Sequence, residues 1–212
     1  MKKRILLLVL VCVAAYTQAA DLTGVAQSAK KNSNYTIYSK QRLVRGGIDF
    51  GFDVPLYQKD FGSRFKINQS LNFEIGAYAR IGRQFYGQVG IYYFINKLQV
   101  TNLNTQADSP IELGQLYVPA LFVYGLPWGN KNMFTAKVGL AYHGLVKLTN
   151  NKIDFTKSDI RCHNLNFMIG AGLEISNFTF NITYKKAFFP LGKASDSHYY
   201  QDMLCFSIGV II

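Results

Sequence analysis

Apolar and polar residues alternate with period two along most of the chain. That pattern is the mark of strands with one apolar face and one polar face. It predicts eight strands. Residues 43–54 place Val44, Ile48, Phe50, Phe52 and Val54 on one face and Arg45, Asp49 and Asp53 on the other. Residues 71–81 set Phe73, Ile75, Ala77 and Ala79 against Asn72, Glu74, Tyr78 and Arg80. Residues 85–96, 134–148, 164–175, 178–188 and 203–212 repeat the pattern. Residues 115–126 are apolar on both faces, and there Leu116, Val118, Ala120, Phe122 and Tyr124 are placed outward. Pro119 falls mid-strand, lacks a ladder donor, and predicts a bulge or bend.

The connections carry a second pattern. Segments 82–84, 127–132 and 176–177 are short, whereas 55–70, 97–114, 149–163 and 189–202 read as long polar loops. Strict alternation of short and long is what a membrane barrel requires, with turns at one end and loops at the other. Every strand has an apolar face, and no amphipathic helix is left to cover it. Strand lengths suit the hydrocarbon thickness, and glycines on the polar face suit a narrow interior. The predicted fold is all-β: an eight-stranded antiparallel up-and-down transmembrane β-barrel.

Composition supports an ordered single domain. Of 212 residues, 49% are hydrophobic, 15% aromatic and only 17% charged, which excludes a disordered chain. Lys2, Lys3 and Arg4, an apolar run over 5–15, and small residues near Ala19 form a signal-peptide pattern, too short to span a membrane. The predicted organisation is therefore a cleaved signal peptide (1–19), a flexible periplasmic N-terminal arm (20–42) and an outer-membrane barrel domain (43–212). The net charge of +11 shows no basic, aromatic-interleaved stripe, so nucleic acid is not an expected partner. Outer-membrane lipid is.

Candidate chemistry lies on the polar face. Arg45, Asp49, Asp53, Glu74, Arg80, Lys137, His143, Glu174 and Lys185 all point into the predicted lumen. In a barrel of eight strands, side chains fill the interior, so these residues are expected to form a paired network that plugs it. The competing reading is an ion pathway. His143 in the lumen and His163 and His198 in loops make no metal-ligand pattern, and no metal or cofactor is expected. His198 lies near Ser195, Asp196 and Ser197, but neighbours within one loop are not a triad. No catalytic residue is assigned. Cys162 and Cys205 fall at the same predicted barrel end, where they either pair across the mouth or remain free thiols.

Residues 116–124, with Pro119 mid-strand, and residues 170–184, reading GAGLEISNFTFNITY, resemble the PorT-like outer-membrane β-barrel family. The resemblance extends over roughly residues 48–212. It implies an eight-stranded outer-membrane barrel without a catalytic motif, whose namesake assists protein secretion. One departure is the ending Val210-Ile211-Ile212, with Phe206 the last aromatic, where such barrels commonly finish on an aromatic residue. The expected function is thus a non-enzymatic envelope scaffold or accessory, with secretion-machinery or other envelope proteins as partners. A small porin-like channel and an outer-membrane lipid-modifying enzyme are the alternatives.

Overall fold

The computed structural model describes residues 43–56, 65–69, 71–128, 131–149, 155–193 and 199–212. The predicted signal peptide and arm lie outside these residues. All regular structure among the described residues is strand. The strands are β1 (Val44–Pro55), β2 (Phe65–Gln69), β3 (Asn72–Gly82), β4 (Phe85–Asn102), β5 (Ala107–Trp128), β6 (Asn132–Leu148), β7 (His163–Ile175), β8 (Phe178–Ala187) and β9 (Met203–Ile211).

They form one antiparallel sheet in the order β2-β4-β3-β1-β9-β8-β7-β6-β5, and β5 pairs back onto β4. That last pairing closes a ring of eight strands, each beside its neighbour in the sequence, with β1 and β9 as the closing seam. Closure removes sheet edges and gives the ring's backbone donors ladder partners. The eight predicted strands are the eight of the ring. Their outward faces are exposed and apolar: Ile48, Phe50, Ile75, Val89, Ile91, Phe122, Val138, Ile169, Ile182 and Ile208 are all exposed.

Three local expectations are corrected. Segment 97–114 is not a loop: β4 and β5 continue as a ladder from Lys97↔Glu112 to Asn102↔Ala107, closed by a tight turn in which Gln106 takes φ 56°. The segment reads as polar because its outward side is polar. Its inward residues, Leu98, Val100, Ile111 and Leu113, are buried and apolar.

The 55–70 connection contains the ninth strand, β2, which pairs with the extension of β4. Between the pairs Gln69↔Leu98 and Phe73↔Ile95, four steps along β2 and β3 oppose three along β4. That one extra residue is a β-bulge. It reverses the side-chain phase. The inward residues are therefore even-numbered in β3 (Asn72, Glu74) but odd-numbered in β2 (Phe65, Ile67).

The third concerns Pro119, which interrupts the β4–β5 ladder, with no pair at Val118 or Pro119, but brings no bulge. It keeps its register with Ala141, and the β4–β5 ladder resumes unshifted beyond it, from Val89↔Ala120 to Tyr92↔Tyr117. The irregularity in β5 lies instead between Gly114 and Gln115, where β6 carries the extra residue Val146.

Candidate functional site

The candidate site is the barrel interior, which changes character from the short-turn end to the loop end, its charges coming from β1, β3, β6, β7 and β8. Toward the short-turn end it is charged. Further along come neutral amides and His143. Beyond them, at the loop end, it is apolar. On β4 the order is Gln88 and Tyr92, then Asn96, then Leu98 and Val100; on β5 it is Tyr117, Gln115, then Leu113 and Ile111. All of these are buried.

The charged zone holds two tight clusters. Arg45 and Arg80 stand directly opposite each other on β1 and β3, a like-charge pairing that is unfavourable alone. Glu174 reaches them from β7. Its Oε1 accepts from Arg80 Nη1, and its Oε2 lies 3.9 Å from Arg45 Nη1. Tyr86 donates to the same Glu174 Oε1 at 2.9 Å, and Arg80 Nε donates to Gln88 at 2.9 Å. The Arg80 guanidinium also sits 4.7 Å from the centroid of the Tyr78 ring and 5.1 Å from that of Tyr86.

Lys185 on β8 centres the second cluster. Its fully buried Nζ lies 2.9 Å from Asp53 Oδ1 and also donates to Glu74 Oε2. The Tyr117 ring covers it at 4.7 Å. Cys205 donates its thiol to Glu74 Oε1 at 3.2 Å. Asp53, Glu74 and Cys205 bring metal-type donor atoms within 4.8 Å of one another. The Lys185 ammonium, hydrogen-bonded to Glu74 and ion-paired with Asp53, supplies the positive charge against them.

Asp49 sits between the two clusters. It accepts from Tyr92 OH at 3.0 Å and from Thr179 Oγ1 at 3.3 Å. Lys137 and Asp49 line a common cavity with Glu74, Gln88, Tyr117 and Lys185. Among the described residues Lys137 has no carboxylate within 4.0 Å. The cavity is about 20 Å³, room for about one water molecule. Arg45, Arg80, Lys137 and Lys185 against Asp49, Asp53, Glu74 and Glu174 make four charges of each sign, so the lumen is neutral overall.

His143 stands apart from both clusters. Its ring is edge-on to Phe94 and 4.5 Å from the Tyr117 ring, and its Nδ1 lies 3.4 Å from Gln115 Oε1. Its Cα partner on β7 is Asn164, so the adjacent His163 points to the opposite, outer face, where it meets Tyr142 OH. The two histidines therefore share no site. His198, Ser195, Asp196 and Ser197 lie outside the described residues.

The cysteines do not pair: both are free thiols. Cys205 is level with Thr183, which in turn pairs with Gly170 on β7. Cys162 lies eight residues from Gly170 along the chain, on the order of 26 Å at strand rise. A disulfide needs Cα atoms within about 7 Å. Sequence reading put both at one mouth, but Cys205 sits deep in the lumen.

The loop end holds an apolar core among the described residues. Phe65, Ile67, Leu98, Val100, Ile111 and Leu113 from the strands meet Phe155, Ile160, Leu191 and Tyr199 from the loops in one buried apolar cluster. Phe65 and Phe155 pack edge to face at 5.2 Å. Ile160 bridges to Gly192, and Leu191 N donates to Tyr199 O at 2.8 Å, tying the loops across the mouth. Burial raises the Tyr199 phenol above its ordinary pKa, so it stays neutral.

Sequence reasoning did not single out Tyr86, Gln88, Tyr92, Tyr117 and Thr179 as site residues. Their signal was positional: each occupies the same inward phase as a charged residue it bonds or covers.

No protein-family model and no curated protein matches the chain. Among solved structures it is similar to the outer membrane protein OprG from Pseudomonas aeruginosa, with 12% identity and a TM-score of 0.50. That match covers 80% of this chain and 94% of the other. At such identity the likeness shows the fold, a β-barrel. The N-terminal β-barrel domain of Pseudomonas aeruginosa OprF also aligns, at 12% identity and a TM-score of 0.40, over 81% of this chain and 98% of the other.

Proposed function

We propose that this chain is an integral outer-membrane β-barrel that works through its surfaces and not through its interior. The outer wall supports the membrane placement. On β4, outward residues stay free of charge from Phe85 to Ile95 and turn polar at Lys97. About ten steps of roughly 3.3 Å each, tilted about 40°, span about 25 Å, the height of a barrel's apolar band. Exposed Phe85, Tyr124, Trp128, Phe134 and Phe178 ring the short-turn end, and exposed Tyr93 and Tyr142 mark the other boundary.

The observation that carries the functional reading is the filled interior. Ion pairs occupy the lumen, the cavity beside Asp49 and Lys137 has room for about one water molecule, and among the described residues a buried apolar cluster fills the loop end. This favours a non-enzymatic scaffold or accessory of the envelope over a channel. The sequence resemblance to PorT-like barrels, carried by 116–124 and 170–184, adds protein secretion as the process it serves. The test is crosslinking in native membranes with mass spectrometry of the captured proteins. A reproducible complex with envelope or secretion proteins is the expected result. A lone monomer after crosslinking would overturn the accessory role.

A further inference from the structure

The outer wall is not uniform where its apolar band ends at the loop side. On β4 and β5 the boundary charges are mixed: Lys97 is directly opposite Glu112, and Asp108 follows. On β6, β7 and β8 lysine and arginine predominate, joined by His163, and the acid beside them is Asp202, which accepts from Ala187 N at 3.0 Å and Tyr184 OH at 3.5 Å. Lys147, His163 and Lys186 are exposed there. Arg161, just ahead of β7, packs its guanidinium over Phe189 at 5.4 Å. Among the described residues, none of these four has a carboxylate within 4.0 Å; every ion pair so defined lies in the lumen. Phe188 and Phe189, exposed at 49% and 47%, stand in the same sector. Phe188 N continues the ladder to Leu165 O at 2.9 Å, which keeps its ring on the outer side.

Unpaired cations directly above an apolar wall, with exposed aromatic rings between them, match the chemistry of one boundary. Negatively charged phosphate sits there above acyl chains. We propose that the β6–β8 sector at the loop end seats the headgroup of an anionic phospholipid. Lys147, Arg161, His163 and Lys186 face the phosphate, and Phe188 and Phe189, on the loop side of Lys186, flank it. This inference rests on the membrane placement proposed above.

The test uses the full chain folded in detergent, titrated with phosphatidylglycerol or phosphatidylcholine and read by native mass spectrometry. Wild type is expected to retain phosphatidylglycerol at several-fold lower concentration than phosphatidylcholine. The double variant Lys147→Gln/Lys186→Gln is expected to lose that preference and retain both lipids at the same concentration. Lys147→Arg/Lys186→Arg should keep it. Lys131→Gln, at the short-turn end, should leave it unchanged. Competition by millimolar inorganic phosphate would show a free-phosphate site and overturn the lipid assignment. Equal retention of both lipids, or an unchanged Lys147→Gln/Lys186→Gln, would also overturn it. A heat-dependent gel shift and insertion into phosphatidylcholine vesicles report separately on the membrane barrel. A chain that inserts but shows no lipid preference refutes only this inference.

Discussion

Replacing Lys185 with methionine tests whether paired charges hold the lumen together. The side chain is fully buried and forms ion pairs with two carboxylates from adjacent strands, Asp53 on β1 and Glu74 on β3. At an effective dielectric of about 20, a unit-charge pair 2.9 Å apart attracts by about 6 kcal/mol. Desolvation of the three groups offsets part of that. Removing one partner of a buried ion pair costs about 3–5 kcal/mol, because the remaining charge is left uncompensated. Lys185→Met leaves two like charges facing each other, so a loss at the upper end of that range is expected. Methionine has nearly the same volume, which keeps cavity formation small. The assay is urea unfolding in lipid vesicles, followed by fluorescence of Trp128, the sole tryptophan. Neutralising the site with Asp53→Asn, Glu74→Gln and Lys185→Met together should recover most of the loss. A Lys185→Met variant within about 1 kcal/mol of wild type would refute the reasoning. So would a triple variant no more stable than the single one.

Other outcomes follow from the same geometry. Leu113→Ala in the loop-end cluster should cost about 2–5 kcal/mol locally, seen as faster proteolysis of the loops while the heat-dependent gel shift persists. Gly76→Ala would drive a methyl into the Tyr92 ring and the Ile91 carbonyl, costing about 1–3 kcal/mol; its unfolding midpoint should fall, and an unchanged midpoint would show the lumen is loosely packed. Maleimide should label Cys162 in the folded barrel and Cys205 only after unfolding, with both modified in the unreduced protein as located by peptide mapping. Deleting Leu71 removes the extra residue opposite β4 and turns Phe65 and Ile67 outward. Amide exchange should then rise at Leu98 and Val100, and unaltered protection there would contradict the bulge assignment.

The alternation along β1 and β3 to β9 made the ring legible, because a period-two pattern fixes the face of every side chain once one is placed. It made the lumen legible for the same reason: Arg45, Glu74, Glu174 and Lys185 share the inward phase. Partners were not legible. Glu174 and Arg80 are far apart in sequence and meet only across a closed barrel, whose shear no single strand encodes. The loop-end extension was missed because the pattern inverts there. Lys97, Gln99, Asp108 and Glu112 are polar outside, while Leu98, Val100, Ile111 and Leu113 are apolar inside. Read as a soluble sheet above the apolar band, the same residues keep strict alternation through 97–114. β2 was hidden by its short length and by the bulge, which reverses its phase relative to β3. Pro119 interrupts the ladder to β4 as its missing donor requires, but adds no bulge, since both flanking ladder segments keep the same offset.

The central claim is that the barrel is closed to passage. Single-channel recording of the purified full chain in a planar bilayer tests it most directly. The charge-filled lumen and the apolar cluster at the loop end predict no discrete current steps above the lipid baseline. Reproducible steps, abolished when the protein is omitted, would contradict it.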